Sequence, residues 1–254
     1  MKLSVITINR NNANGLEQTI KSVISLKYSD FEYIVIDGAS TDNSIEIIHK
    51  YASNITSWIS EPDEGIYNAM NKAVNFSSGE YIFFLNSGDT FIPSCSLDFL
   101  NNATTDFIFT SVIMYNKYIH IKSTPPKHLN KFDLYEGICH QATITKRNVF
   151  IEQGKFDEEF KIVADWGLLI KAIYLNNSSY TIVHKALVKY NTQGISSQAS
   201  MHRNILLQKE NFNIKYRFHI NKYIYYLYRL RPYILARRIY MKISHIINHY
   251  NKGK

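Results

Sequence analysis

Three aspartates stand where ligand chemistry is done in layered α/β proteins. Asp37 follows the apolar run at residues 33–36, Asp89 closes the turn Asn86-Ser87-Gly88-Asp89 behind residues 81–85, and Asp165 opens a helical stretch. An ionised carboxylate can accept a ligand N–H, hold a hard cation, or take a proton from an attacking hydroxyl. Each also has an ordinary reading. An Asp after a strand is a common turn former, and Asp165 reads equally well as a helix N-cap. Position favours a ligand for the first two. Both follow strongly apolar strands, so a parallel sheet brings them to one rim, and open parallel sheets bind ligands beyond the C-terminal ends of their strands.

The elements that must position them come in strand–loop–helix units. Residues 3–8 read as a strand and 9–14 as a polar loop, with a helix at 16–26. Residues 33–36 form the next buried strand; the loop 37–44 leads into a helix at 45–51, capped by Asp42 or Ser44. Two such units in fifty residues indicate a parallel sheet with helices on its faces. Residues 58–60 read as a short strand, 61–65 as a turn, and 66–76 as a helix with Ile66, Ala69, Met70, Ala73 and Val74 inward. Residues 81–85 are the central strand. Beyond Asp89 the pattern changes to a strand pair, 107–114 and 118–122, turning near Asn116-Lys117. Residues 127–136 carry no clear period. Residues 139–145 read as a strand, 165–175 as a helix and 180–190 as a final strand before the loop 191–197.

Charge divides the chain near residue 200. Residues 1–200 carry a net −3 and residues 201–254 a net +11, out of +8 overall. A domain at 1–200 and a basic helical extension at 201–254 follow. In the extension, apolar residues recur at helical steps from Phe218 to Tyr250, with Arg and Lys between them and Pro232 dividing two helices. Basic amphipathic helices suit an anionic membrane surface, contacted through residues 217–250; packing on the domain or on a second subunit is the alternative. No nucleic-acid module is visible. No run approaches the roughly 18 apolar residues of a membrane span, and the N-terminal apolar run is too short for a signal peptide. Two cysteines, Cys95 and Cys139, make neither a metal spacing nor a disulfide framework, so a reduced cytoplasmic setting is expected.

Four stretches in this order carry a resemblance: residues 4–9 (SVITIN), 35–44 (VIDGASTDNS), 63–72 (DEGIYNAMNK) and 79–89 (GEYIFFLNSGD). Together they resemble the family 2 inverting glycosyltransferases of the GT-A fold. The likeness is dense over residues 1–95 and looser through His140-Gln141 and Ala164-Asp165-Trp166 to about residue 200. The nearest subgroup builds bacterial surface polysaccharides of the O-antigen or capsule type. The expected architecture is therefore α/β, a Rossmann-like, mainly parallel sheet with helices on both faces, plus the C-terminal basic helices.

The resemblance implies roles. Thr7 and Asn9 lie along the nucleotide, and Asp37 hydrogen-bonds the base, usually uracil. The helix carrying Asn71 and Lys72 flanks the diphosphate. Met70 stands where many relatives have arginine, leaving Lys72 as the nearby cation. The family's Asp-x-Asp-Asp metal motif is reduced to Asn86, Gly88 and Asp89, so Asp89 alone holds the Mn²⁺ or Mg²⁺ cofactor, an ion that one carboxylate plus phosphate and water can bind. Asp165 matches the general base, and its usual Glu partner is replaced by Ala164. His140, Gln141 and Trp166 fall on the acceptor side, where Trp166 either stacks on a sugar or packs in the core. Loops 60–65 and 194–197 move around the donor.

The function expected from these readings is sugar transfer from a nucleotide-sugar (UDP) donor to a lipid-linked or polysaccharide acceptor, at the inner face of the cytoplasmic membrane. The alternatives are a non-catalytic nucleotide-sugar-binding protein, motivated by the eroded metal motif, and a membrane or nucleic-acid adaptor that works through its tail.

Overall fold

The stretch that ends in Asp89 begins at a glycine because nothing larger fits there. A Cβ on Gly79 would come within 2.6 Å of the backbone N and the Oγ of Ser4. The Gly79 N–H donates to Ser4 Oγ (2.9 Å) and to Glu32 Oε1 (3.0 Å), and the same carboxylate oxygen accepts from Ser4 Oγ (2.6 Å) and Ser78 N (2.5 Å). Three chain segments distant in sequence are thus tied at one end of the sheet.

The computed structural model describes residues 1–93, 95–118, 120–192 and 201–216. From that anchor run β1 (Leu3–Asn9), β2 (Phe31–Asp37), β3 (Ser57–Ser60) and β4 (Tyr81–Phe84). All their mutual ladders are parallel: β1 lies between β2 and β4, and β3 flanks β2. Every residue of β1 and β4 is buried, which requires cover on both faces of the sheet. The remaining strands are β5 (Thr90–Phe91), β6 (Phe107–Tyr115), β7 (His120–Ser123), β8 (Thr143–Lys146) and β9 (Tyr180–Asn191). They extend the sheet in the order β3-β2-β1-β4-β8-β6-β9-β5, with β7 beside β6. Here β8 is antiparallel to β4 and β6, and β9 is parallel to β6.

The helices are α1 (Ala13–Ile24), α2 (Ser44–Lys50), α3 (Ile66–Phe76), α4 (Lys131–Glu136), α5 (Arg147–Glu152), α6 (Ala164–Leu169) and α7 (His202–Lys215); α6 widens into π turns over Ile170–Leu175. Among the described residues no helix is long and apolar enough to cross a membrane. The chain divides into two units, Met1–Lys209 and Glu210–Lys254. Of the second, the described residues are the end of α7, where the Phe212 and Tyr216 rings lie 4.5 Å apart.

Several expectations are corrected. Ile66 is 41% exposed, and the inward face of α3 is instead Tyr67, Ala69, Met70, Asn71, Ala73 and Val74. Residues 139–145 are not one strand: His140–Ala142 makes a 3₁₀ turn before β8. Residues 127–136, without a readable period, contain α4. Asn43 is the N-cap of α2, and Asp42 sits one residue before it. Its Oδ1 accepts from Ser44 N (3.0 Å) and its Oδ2 from Ala13 N (2.9 Å), so one carboxylate serves the starts of both α2 and α1. Val163 occupies the N-cap of α6, which leaves Asp165 inside its first turn. The loop 194–197 and the tail helices from Phe218 lie outside the described residues.

Candidate functional site

The parallel register sets Asn9 beside Asp37 and Asp37 beside Ser60 at the C-terminal rim. Asp37 is fully buried. Its Oδ1 accepts from Asn9 Nδ2 (2.8 Å) and Ser40 Oγ (2.6 Å), and its Oδ2 from Ser40 N (2.8 Å) and Ser60 Oγ (2.8 Å). Four donors fill a carboxylate's ordinary capacity, so Asp37 builds the wall of the rim and offers no open acceptor to a base. Asn9 Nδ2 also donates to Ser44 Oγ (2.9 Å), while Asn9 Oδ1 is buried with no partner. Thr7 is not on the rim. It lies fully buried in β1, its hydroxyl donating to Leu85 O (2.8 Å) and 3.0 Å from Tyr33 OH, because it stands two residues short of the strand's end, on the same face as Asn9 but deeper in the sheet.

Loop 61–65 is pinned over this rim. Lys72 Nζ pairs with Glu61 Oε1 (2.7 Å) and donates to Pro62 O (2.9 Å). Arg10 pairs at 3.8 Å with Asp63, which itself accepts from Gly65 N (3.0 Å). Arg10 is 64% exposed, a second cation next to Asn9 that the sequence reading passed over. Met70 is buried. Both ends of the Asn71 amide serve loop 156–158: Nδ2 donates to Phe156 O (2.9 Å) and Glu158 Oε1 (2.7 Å), and Oδ1 accepts from Phe156 N (3.0 Å).

Asp89 sits on a turn made possible by Gly88 at φ +99°. Thr19 Oγ1 accepts from Gly88 N (3.0 Å) and donates to Asp89 O (2.7 Å), clamping the turn to α1. The Asp89 side chain is 4% exposed, and Oδ1 accepts from Asn191 N (2.9 Å) at the end of β9. Burial pushes its carboxyl up to about 7 against the pull of that single bond. On the same turn, Asn86 Oδ1 is buried without a partner. One carboxylate and one unmet amide oxygen are hard donors of the kind Mg²⁺ and Mn²⁺ accept. Among the described residues no group of three or more His, Cys, Asp or Glu could complete a shell, so the set fits an ion that shares phosphate oxygens and water.

Asp165, half-buried, accepts from Tyr67 OH (2.7 Å), and that hydroxyl also lies 2.8 Å from Ile162 O. A void of about 10 Å³, room for one water, lies between His140, Phe84, Thr143, Phe156 and Asp165. His140 stacks on Phe84 at 5.5 Å, and its Nε2 is buried with no partner. Burial draws the imidazole below its ordinary value, with the charge of Asp165 opposing. Gln141 Oε1 accepts from the Cys139 thiol (3.3 Å). The Cys139 thiol is pushed up to about 12, chiefly by burial, with the charges of Asp89 and Asp165 acting in the same direction. Tyr67 further lines a cleft of about 370 Å³ with Asn68, Glu158, Asn204 and Gln208.

Trp166 is core. It is 5% exposed, and its Nε1 donates to Leu134 O (2.9 Å) and Tyr135 O (3.1 Å) in α4. Lys209 Nζ lies 4.8 Å over its ring and donates to Tyr135 O (2.6 Å) and Glu136 O (3.2 Å), with burial lowering the ammonium to about 8. The face of the indole is therefore covered, and sugar stacking on it is ruled out. Tyr67 and Lys209, like Arg10, were site neighbours not anticipated. Tyr67 stands beside Ile66, the one expected inward position of α3 that is exposed, while Ala69, Met70, Ala73 and Val74 are buried as expected; with Asn71 it widens the buried stripe beyond what the apolar pattern marks.

Known proteins give this geometry a context. A PGL/p-HBAD biosynthesis glycosyltransferase of Mycobacterium bovis is 27% identical over 205 residues, covering 75% of this chain and 77% of that protein. Staphylococcus aureus TarS 1-349, solved in complex with UDP-GlcNAc, superposes with a TM-score of 0.66 at 22% identity over 76% of this chain; the match spans 59% of that longer chain. The mannosyltransferase PcManGT from Pyrobaculum calidifontis, solved with GDP-Man and Mn²⁺, gives a TM-score of 0.62 at 16% identity over 84% of this chain and 64% of that one. These likenesses establish the GT-A architecture. The profile described as Glycosyl transferase family 2 matches residues 4–165, from β1 to the aspartate in α6, and the chain belongs to that family.

Proposed function

We propose that this chain is an inverting glycosyltransferase that moves a sugar from a UDP-linked donor to a lipid-linked or polysaccharide acceptor in surface-glycan assembly. The observation that carries the reading is a pair of carboxylates in unlike settings inside the family match: Asp89, enclosed on the strand-end turn and bonded to Asn191 N, and Asp165, half-buried in α6 and bonded to Tyr67. Two carboxylates in unlike settings suit two roles. Asp165 takes the proton of the acceptor hydroxyl as its oxygen attacks the anomeric carbon. The bond from that carbon to the diphosphate breaks, its electron pair leaves with the nucleoside diphosphate, and configuration inverts. Asp89 and Asn86 would hold the divalent ion, which when bound supplies Lewis-acid stabilisation of the departing diphosphate. Asn9, Asp37, Asn71 and Lys72 shape the donor side, with Arg10 as a cation on the same rim. His140 and Gln141 border the acceptor side. The +11 charge of residues 201–254 supports contact with an anionic membrane surface through residues 217–250.

The test is a panel of UDP-glucose, UDP-galactose, UDP-GlcNAc and GDP-mannose, each with and without Mn²⁺, read by thermal stabilisation and by release of nucleoside diphosphate. A donor at about 100 times its dissociation constant adds about 2.7 kcal/mol. Stabilisation with turnover supports the proposal. Stabilisation without turnover, in the presence of Mn²⁺ and of lipid-linked acceptors, supports a non-catalytic binder instead, the reading motivated by the reduced metal motif Asn86, Gly88 and Asp89.

A further inference from the structure

Tyr67 spans two acceptors with one hydrogen. Its hydroxyl oxygen lies 2.7 Å from Asp165 Oδ1 and 2.8 Å from Ile162 O, and the hydroxyl can donate to only one of them at a time. An ionised Asp165 draws the hydrogen, because a charge-assisted bond is the stronger. A protonated Asp165 can instead donate its own O–H to the phenolic oxygen, and the phenol hydrogen then turns to the Ile162 carbonyl. Both arrangements use the same heavy-atom positions.

We propose that Tyr67 is the positioning residue of Asp165, holding Oδ1 at one place before and after the carboxylate takes up the acceptor's proton. The inference rests on the reading of Asp165 as the base. Its chemistry balances: the proton leaves the acceptor oxygen for the carboxylate, and only the orientation of the phenol hydrogen changes. The surroundings supply the stiffness this needs. Tyr67 is 7% exposed, its ring lies 5.1 Å from Phe156, and it sits in the first turn of α3, whereas Ile162 precedes α6 and Asp165 lies in the first turn of α6. Burial and the charge of Asp165 hold the phenol well above its ordinary value, so it remains a hydroxyl. Among the described residues the charge of Asp165 also acts on His140, Cys139 and Lys209, none of which is bonded to Oδ1.

The experiment is a double-mutant cycle, Tyr67→Phe crossed with Asp165→Asn for kinetics and with Asp165→Ala for stability. Phe retains the ring and its packing. With UDP-GlcNAc and the other donors of the panel as probes, Tyr67→Phe is expected to lower kcat roughly tenfold or more, leave the donor KM within about twofold, and move the acid limb of the pH–rate profile. It should have no further effect in the Asp165→Asn background. Full activity in Tyr67→Phe, or the same proportional loss in both backgrounds, overturns the role of Tyr67 while leaving the base intact. Activity that survives Asp165→Asn overturns the base, and this proposal with it. A measurement without substrate closes the remaining route. Urea unfolding of the four proteins of the stability cycle should give a coupling of about tenfold in the unfolding constant at pH 8 that persists through a series of falling pH. Coupling lost in acid would make Tyr67 a donor to the anion only and refute the two-state role.

Discussion

Glu32 offers a quantitative test of how the sheet holds the site in place. Its Oε1 alone accepts from Ser4 Oγ (2.6 Å), Ser78 N (2.5 Å), Ser78 Oγ (3.0 Å) and Gly79 N (3.0 Å), and the residue is 5% exposed. Glu32→Gln keeps the size and removes the charge. A bond to a charged group is worth about 1.5–3 kcal/mol against about 1 for a neutral one. If the two backbone bonds each lose about 1–1.5 kcal/mol, the variant is less stable by about 2–3 kcal/mol. For a chain of this size that is a fall of about 4–12 °C in Tm. Burial alone would raise the Glu32 carboxyl, but the bonds from Ser4, Ser78 and Gly79 outweigh it and hold the group below its usual 4.5. A depressed folded-state value means that the unfolded chain binds the proton more tightly. The stabilisation is therefore complete above about pH 4.5 and disappears as pH falls through the folded-state value.

Urea unfolding followed by tryptophan fluorescence is the assay, since Trp166 is buried and reports loss of the core. The gap between wild type and Glu32→Gln should be largest at pH 7 and should close towards pH 3.5. Equal stability at pH 7, or a gap that ignores pH, would refute the reasoning. The consequence reaches the site because Gly79 starts the segment that ends at Asp89, and a slip of one residue in that strand would turn every side chain to the opposite face.

Further outcomes follow from the site. Asp89→Ala should abolish Mn²⁺-dependent donor binding, measured by calorimetry, while circular dichroism shows the fold retained; unchanged activity with chelator present would remove the ion from the scheme. Asp165→Asn should lower turnover by about 10²–10⁴-fold with donor affinity nearly unchanged, and a loss of donor affinity instead would assign it a structural part. Ending the chain after residue 216 should leave donor hydrolysis in place and abolish sedimentation with anionic vesicles, since each Lys or Arg near such a surface contributes about 1 kcal/mol. Vesicle binding that survives the truncation, or is absent from the full chain, would reject the membrane role. An earlier cut at residue 198 would remove Lys209 and with it the cation that holds the last carbonyls of α4.

What could be read from the sequence was whatever burial writes into a continuous run. β1, β2 and β4 are buried almost end to end, so apolar residues dominate them, with buried Ser4, Thr7 and Glu32 among the exceptions, and α3 is long enough for its bounds to be legible. α4 has six residues, too few for a helical period to emerge. The 3₁₀ turn at His140–Ala142 hides because it runs directly into apolar β8. Site chemistry was legible as residue type and not as occupancy. Nothing local to Asp37 says that Ser60, 23 residues on, will take one of its lone pairs. Tyr67 and Asp165 are 98 residues apart, and their bond exists only because α3 and α6 meet. Trp166 next to Asp165 read as easily for a sugar platform as for core, and the carbonyls of α4 decide for core.

The two carboxylates of the proposed mechanism differ in setting, and the setting explains the division of labour. Asp89 is enclosed, bonded through one oxygen to a backbone N–H of β9, and shares its turn with an unmet amide oxygen. Such a place suits a cation arriving with its own phosphate oxygens, because the added charge relieves a buried anion that water no longer stabilises. Asp165 is only half enclosed, faces a void of one-water size, and has a hydroxyl at 2.7 Å that can either give or receive a hydrogen bond. Such a place suits a group that must gain and lose a proton without moving. Exchanging the roles would fail at both ends. A base at Asp89 would have to release its proton from an enclosed turn, and a cation at Asp165 would meet a tyrosine hydroxyl already committed to the carboxylate. In the proposed mechanism the parallel half of the sheet therefore supplies the donor side and the chain beyond it the proton chemistry; α3 reaches both, through Lys72 at one loop and Tyr67 at the other.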